Sequence, residues 1–147
     1  MNIVLQFPVF NPYNLSTCEI YTVGCTRKCL NCHNPELQSY EVGEELNIEK
    51  LIDYLKEREE LFSIISITGG DLLCQDMIEA MYLSSTLKLC FPNKELWLFT
   101  GAELSECPDW TKILFTSIKT GLYIENEKQE GFPASKNQKL NKKGVDY

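Results

Sequence analysis

Three apolar segments of the sequence each run directly into a glycine, and this recurring pattern constrains the fold more than any other feature. The segments are residues 18–23 before Gly24, residues 63–68 before Gly69, and residues 95–100 before Gly101. Their β-branched, leucine and aromatic content is typical of strands, and the glycine that follows each one predicts a turn. Residues 111–118 are a weaker candidate for a fourth strand.

Two helices are predicted between these strands. Apolar residues recur at helical spacing after Asn47, a favourable N-cap, and predict a helix to about Leu61. A second helix is predicted from Gln75 to about Leu89, before Pro92. Strands that alternate with helices in this way are typical of a parallel sheet with right-handed crossovers.

The chain length limits which α/β fold is possible. The sequence has 147 residues, whereas a complete eight-fold β/α barrel needs about 250. We therefore predict a single α/β domain over residues 1–147, a small truncated partial (β/α) barrel of roughly four to five mostly parallel strands. The functional site of such a sheet lies at the C-terminal ends of the strands, where the three glycine turns meet.

The charge of the chain argues against a nucleic-acid-binding surface. There are 14 Lys and Arg residues against 21 Asp and Glu residues, a formal net charge of −7, and phosphate binding needs clustered basic residues. Residues 41–60 carry a net charge of −5 and residues 136–147 a net charge of +3. We expect a flexible basic tail from about residue 136. Either segment is a solvated face or a docking surface for a partner.

The N-terminus predicts the compartment. Its apolar run is short, has no basic start and soon meets Pro8, unlike an export signal. No stretch approaches the roughly 18 apolar residues of a membrane span. We therefore expect a cytoplasmic protein without a membrane partner. Thiols stay reduced there, so clustered cysteines among the seven in the chain indicate metal ligands rather than disulfides.

Cys25, Cys29 and Cys32 fall within eight residues in the pattern C-x3-C-x2-C. Three thiolates in such a loop bind three irons of a four-iron cluster and leave the fourth iron open, as in chemically active metal sites. The main alternative is a structural zinc site with His33 or Cys18 as the fourth ligand. Zinc sites usually combine two separated ligand pairs, and the sequence contains no second pair.

The cysteine motif after the first strand resembles the signature of the radical S-adenosylmethionine enzymes. Thr68-Gly69-Gly70-Asp71 is similar to the glycine-glycine-acid motif of that superfamily. The resemblance implies that these four residues hold the amino group of S-adenosylmethionine. Glycines let backbone carbonyls approach closely, and a carboxylate suits an ammonium group.

Further segments are similar to the anaerobic (class III) ribonucleotide reductase-activating proteins. They are Val9–Pro12, the strand and turn at 96–101, and residues 134–140 near the end. The short chain also matches that subfamily. The resemblance implies that Asn34, Asn137 and Gln138 contribute to cofactor binding.

The sequence departs from the family pattern in places that leave the partner open. Asn31 precedes the third cysteine where the superfamily often has an aromatic residue, and Leu72 stands where a proline is usual. Lys139 replaces a terminal arginine. The segment 32–35 is as similar to pyruvate formate-lyase activases as to reductase activases.

The resemblance implies an oxidoreductase that cleaves S-adenosylmethionine reductively at a [4Fe–4S] cluster and generates a glycyl radical on an anaerobic ribonucleotide reductase. A donor such as flavodoxin or ferredoxin would supply the electron, and no catalytic side chain is implied beyond the cluster ligands. The alternatives are activation of another glycyl radical enzyme, modification of a small molecule, or a non-catalytic zinc or iron–sulfur interaction module. Four cysteines lie outside the motif, and we expect them to be small buried apolar residues: Cys18, Cys74, Cys90 and Cys107. Among them, Cys74 is the best candidate to line a pocket.

Overall fold

The computed structural model describes residues 1–11 and 13–147. Pro12, the last residue of the Val9–Pro12 segment, lies outside the described residues. The strands are β1 (Asn2–Phe10), β2 (Ser16–Thr22), β3 (Glu44–Glu45), β4 (Ile64–Gly69), β5 (Glu95–Phe99), β6 (Ser117–Thr120) and β7 (Lys139–Lys142). The α-helices are α1 (Ile48–Lys56), α2 (Met77–Cys90) and α3 (Asp109–Leu114).

All of these strands belong to one sheet with the order β3-β1-β2-β4-β5-β6-β7. The four central strands β2, β4, β5 and β6 are parallel, and β1, β3 and β7 add antiparallel edges. The predicted mixed α/β fold with parallel central strands is confirmed. With the antiparallel edge strands, the sheet formed by the described residues has seven strands, more than the predicted four to five. The curvature of a partial barrel stays a prediction.

The helices α1 and α2 cover the sheet because each presents an apolar face and a capped start. The Asn47 side chain accepts a hydrogen bond from Lys50 N at 3.0 Å, as the sequence predicts. Asp76 caps α2 by accepting from two backbone N–H groups. The core between helices and sheet is aliphatic and aromatic, and includes Ile20, Leu55, Ile67, Leu83, Leu87, Leu98 and Phe115. No helix in the described part of the chain is long and apolar enough to cross a membrane.

The strand predicted over residues 111–118 is wrong for its first half. The helix α3 begins after Pro108, and Phe115 N donates to Thr111 O at 2.9 Å, a helical spacing. Thr111 and Phe115 are both fully buried, so the buried residues here repeat every four positions instead of every two. The strand β6 begins only at Ser117.

Residues 136–147 differ from the flexible tail predicted from their charge. They contain β7, which pairs with β6 in antiparallel register. Asn141 is buried at 2% exposure and donates to Ile118 O and to Thr120 Oγ1. The Tyr147 hydroxyl donates to Phe115 O at 2.7 Å. These contacts fix the segment to the edge of the sheet, while its lysines remain at the surface.

Candidate functional site

A cavity of about 270 Å³ opens at the C-terminal ends of the parallel strands. Cys25, Cys29 and Cys32 all line it. The strand ends supply the other wall: residues 68–71 at the end of β4 and just after it, Thr100 and Gly101 after β5, Lys119 in β6 and Gly121 just after β6. The structure therefore brings the cysteine loop and the glycine turns together, as the strand pattern predicts.

The cysteine loop curls because two of its residues adopt left-handed backbone conformations. Lys28 has a φ of 52° and Asn31 a φ of 54°, which places one such turn before each of the last two cysteines. Cys32 N donates to Cys29 O at 3.2 Å across the second turn. Within residues 1–11 and 13–147, no three His, Cys, Asp or Glu side chains are arranged around a single metal ion.

The loop is anchored at its start by close backbone packing. A Cβ added at Gly70 would lie 2.5 Å from the carbonyl oxygen of Gly24, so only a glycine fits at this position. Gln75 Nε2 donates to Gly24 O at 2.9 Å and to Val23 O at 3.0 Å. The end of β2 is thus held against the turn that follows β4.

Asp71 lies at the centre of this edge and is 1% exposed. Its carboxylate accepts hydrogen bonds from Arg27 Nε at 2.5 Å and from Gly101 N at 2.9 Å. It also accepts from the Thr100 hydroxyl and from Leu73 N. The two carboxylate oxygens are therefore engaged by donors of the chain itself, a network that the sequence pattern did not indicate.

Lys119, like Arg27, lines the cavity and was missed by sequence reasoning. It lines the cavity from β6, and its ammonium lies 5.5 Å from the centre of the Phe99 ring. Burial lowers its pKa, against the opposing effect of Asp71 and Cys29. No carboxylate in the described part of the chain forms an ion pair with it. Its position directly after the predicted strand segment 111–118 was the available signal.

Of the remaining predicted site residues, two line the cavity and one does not. Asn34 and Gln138 line the cavity, and Gln138 is buried at 8% exposure, where its side chain donates to Gly121 O at 3.0 Å. Asn137 is not among the lining residues, and its side chain donates to Leu122 O at 2.8 Å. His33 packs against Tyr123 with ring centres 4.6 Å apart.

The cysteines outside the motif do not line the cavity. Cys18 and Cys107 are buried, and Cys90 lies at the end of α2. Cys74 comes nearest to the cysteine loop, since its sulfur accepts a hydrogen bond from the Thr26 hydroxyl at 3.4 Å. Burial raises the pKa of the Cys25 thiol, so a metal would have to displace its proton on binding.

The donor set fits an iron–sulfur cluster. Three thiols line one cavity, and the backbone around them is held by glycine contacts and by hydrogen bonds of the chain. A family model described as a 4Fe-4S single cluster domain matches residues 16–141. The chain belongs to this family. The matched range runs from the start of β2 into β7 and includes the cysteine loop and the whole cavity.

Individual relatives of the chain carry a more specific name. The chain is 28% identical to a protein of Vibrio cholerae over 121 residues, which cover 78% of each chain. It is 25% identical to a protein of Enterobacteria phage T4 over 121 residues, 80% of this chain and 74% of the relative. Both are named anaerobic ribonucleoside-triphosphate reductase-activating protein. The predicted resemblance of this 4Fe-4S single cluster domain protein to such activating proteins is confirmed.

Proposed function

We propose that this 4Fe-4S single cluster domain protein is a radical S-adenosylmethionine activase that generates a glycyl radical on an anaerobic ribonucleoside-triphosphate reductase. The observation that carries the proposal is the single cavity lined by three cysteines and by the ends of β4, β5 and β6. The names of the relatives support the choice of partner. The electron donor, predicted to be a flavodoxin or ferredoxin, is part of the same proposal.

Cys25, Cys29 and Cys32 are the residues that would hold the [4Fe–4S] cluster, each through one thiolate. A cluster bound there would supply the electron for reductive cleavage of S-adenosylmethionine, and the radical chemistry so started would act on a glycine of the partner. The chain itself binds, orients and shields the reactants. Aromatic side chains on the cavity wall, Phe99, Tyr123 and Phe132, exclude water from the reacting groups.

The chain offers complementary groups for the two charged ends of the cosubstrate. Because the Asp71 carboxylate is engaged by Arg27, Thr100 and Gly101, we assign the amino group to backbone carbonyls of residues 68–70. The Lys119 ammonium is the cation on the cavity wall that suits the cosubstrate carboxylate. Asn34 and Gln138 add amide groups that orient the remainder of the cosubstrate.

A protein substrate suits the surface around the cavity. Leu30 lies inside the cysteine loop, between Cys29 and Cys32, and is 74% exposed. An apolar side chain so exposed beside the site is suited to contact with another protein. Residues 32–35 are also similar to pyruvate formate-lyase activases. A different glycyl radical enzyme is therefore the alternative partner.

The test measures 5′-deoxyadenosine. Protein reconstituted anaerobically with iron and sulfide is mixed with S-adenosylmethionine and dithionite, alone and with the reductase subunit. We expect product from the wild type and from Cys90→Ala, whose thiol lies away from the cavity, and none from Cys29→Ala. A glycyl radical in the reductase sample, seen by electron paramagnetic resonance, completes the assignment.

Two results would contradict the proposal. Zinc at one per chain instead of iron and sulfide would favour the structural interaction module. If 5′-deoxyadenosine forms and the glycyl radical appears on another glycyl radical enzyme but not on the reductase, the cleavage reaction stands and the proposed partner is wrong.

A further inference from the structure

We infer that Arg27 is a positioning residue, which holds the cysteine loop in its cluster-binding shape through a clamp formed with Asp71 and Gly101. The inference rests on the proposed function, because it concerns the loop that carries the cluster ligands. It assigns the acid of the glycine-glycine-acid motif to the cysteine loop and not to the cosubstrate. Three independent observations carry it.

The first observation is the position of Arg27 in the loop. It lies between Cys25 and Cys29 and reaches across to the turn that follows β4, where its Nε donates to Asp71 Oδ2 at 2.5 Å. The Arg27 side chain is 25% exposed, whereas Asp71 is 1% exposed. The pair thus joins a surface loop to a buried anchor, an arrangement in which loss of one partner is costly.

The second observation is that the anchor is itself rigidly placed. The Asp71 carboxylate accepts from the backbone N–H groups of Leu73 and Gly101 and from the Thr100 hydroxyl, at 2.9 to 3.0 Å. These donors belong to the turns that follow β4 and β5. Because they fix the carboxylate from the sheet side, Arg27 completes its hydrogen-bonding capacity from the loop side.

The third observation is a gap that Gly101 leaves for the arginine. A Cβ added at Gly101 would lie 2.4 Å from Arg27 Cδ and 3.0 Å from Arg27 Nε. The backbone of Gly101 does not require glycine for its conformation, since its φ lies outside the left-handed region. Glycine leaves space at this position, and the space is occupied by the arginine of the cysteine loop and by Leu122, whose Cδ2 would lie 2.9 Å from the added Cβ.

The clamp predicts that Gly101→Ala and Arg27→Gln act through the same contact. Gly101→Ala displaces the arginine and leaves both charges in place, and Arg27→Gln removes the cation. Lys28→Gln is the matched control, since it removes a neighbouring positive charge of the same loop without touching the clamp. Once Arg27 is replaced, the second change at Gly101 should add little, so the double variant measures the coupling.

The first readout is amide hydrogen exchange of the full-length metal-free protein. The amides of Gly24 and Cys25 donate to Leu37 O and Gln38 O, and they report opening of the loop base. We expect exchange about tenfold faster in Gly101→Ala and Arg27→Gln and unchanged in Lys28→Gln. Arg27→Lys, which keeps the charge, should recover part of the protection.

The second readout is the electron paramagnetic resonance spectrum of the reduced, reconstituted protein, recorded with and without S-adenosylmethionine. A clamp that orients the ligands predicts altered g-values in Gly101→Ala and a weaker response to the cosubstrate, at an iron content that remains measurable. A purely structural role would lower iron content and leave the spectrum of the remaining clusters unchanged.

Two outcomes would overturn the inference: wild-type exchange and spectra in both clamp variants, or fully additive effects in the double variant. The hydrogen-exchange result does not depend on the cluster. Faster exchange in the clamp variants of a protein that bound zinc and cleaved no S-adenosylmethionine would support the clamp and refute the proposed function.

Discussion

Gly70 packs so tightly against Gly24 that a Cβ on the first residue would lie 2.5 Å from the carbonyl oxygen of the second. Gly24 immediately precedes Cys25, the first cysteine of the motif, and Gly70 belongs to the turn that follows β4. The contact joins the two segments that we propose as the sources of the cluster ligands and of the cosubstrate contacts. Under that proposal, the relative position of cluster and cosubstrate depends on the absence of one methyl group.

Gly70→Ala is expected to push the base of the cysteine loop away from β4. The backbone atoms it would meet, Gly24 O and Leu37 O, cannot rotate aside as a flexible side chain does. Overpacking of this kind costs about 1–3 kcal/mol. We expect a folded protein whose iron and sulfide content after anaerobic reconstitution falls well below that of the wild type.

Gly131→Ala is the matched control for this substitution. Gly131 has a φ of 82°, and a Cβ added to it would meet nothing within 4 Å. The control therefore carries backbone strain of about 1 kcal/mol without a clash. Equal iron content in Gly70→Ala and Gly131→Ala would show that the close packing at Gly24 has no role in cluster binding.

Lys119→Met is expected to weaken binding of S-adenosylmethionine without removing the cluster. A charge-assisted hydrogen bond contributes about 1.5–3 kcal/mol, so the dissociation constant should rise by roughly tenfold to a hundredfold. Equilibrium dialysis of the reconstituted protein measures it. Lys142→Met, an exposed lysine of the neighbouring strand β7, serves as the control, and equal affinities in the two variants would exclude Lys119 from the site.

The pH dependence of this binding follows from the same residue. Burial lowers the pKa of Lys119 below that of an ordinary lysine, so its ammonium loses the proton at a lower pH than a surface lysine does. Affinity for an anionic group should therefore fall as pH rises through the lowered pKa. The Lys119→Met variant should lack this alkaline loss, whereas Lys142→Met should retain it.

The sequence predicted the centre of the fold better than its edges. Strands β2, β4 and β5 and the helix α2 are where glycine turns, caps and periodicity indicate them, because local rules decide these elements. The helix α1 begins at the predicted cap but ends at Lys56, before the predicted Leu61. The edge strands β1 and β7 form through pairing with β2 and β6, and for β7 this pairing joins residues at least 19 positions apart. The charge of residues 136–147 concealed a strand whose buried residue, Asn141, is polar.

At the candidate site, too, some residues were predicted from the sequence and others were not. The motif spacing predicted the three cysteines and the strand-end turn, each a short run of sequence, and the structure brings both to one cavity. The spacing did not indicate Arg27 or Lys119, since each acquires its role from a residue on another strand end or from a cavity wall. Arg27 and Asp71 are 44 positions apart, and only the parallel order of the strands brings them together.

Asn141→Ala is expected to destabilise the sheet edge and leave the site chemistry intact. Its side chain donates to Ile118 O at 3.1 Å and to Thr120 Oγ1 at 3.0 Å in a buried position. Leaving those acceptors unpaired costs about 1–3 kcal/mol. Thermal unfolding of the metal-free protein should show a lower midpoint than the wild type, whereas Lys142→Ala, an exposed neighbour, should change it little. A flexible tail would give the same midpoint for both.

Cys18 makes the stability of the fold sensitive to alkaline pH. The residue is fully buried on β2, and burial raises the pKa of its thiol to about 12 from an ordinary value of 9.0. In the unfolded chain the thiol loses its proton near 9.0, while in the folded chain it stays neutral. The stabilising contribution is therefore complete below that pH and is lost as pH rises toward the folded-state value.

Cys18→Ala tests this dependence through the free energy of unfolding of the metal-free protein between pH 7 and 11. One thiol contributes a slope of up to about 1.4 kcal/mol per pH unit, so the wild type should lose stability above pH 9 more steeply than the variant. Ile65→Val, at the residue paired with Cys18 in the sheet, should be less stable by about 1 kcal/mol with a curve parallel to that of the wild type. Parallel curves for the wild type and Cys18→Ala would mean that the thiol ionises equally in the folded and unfolded chains, and the buried position of Cys18 would then be wrong.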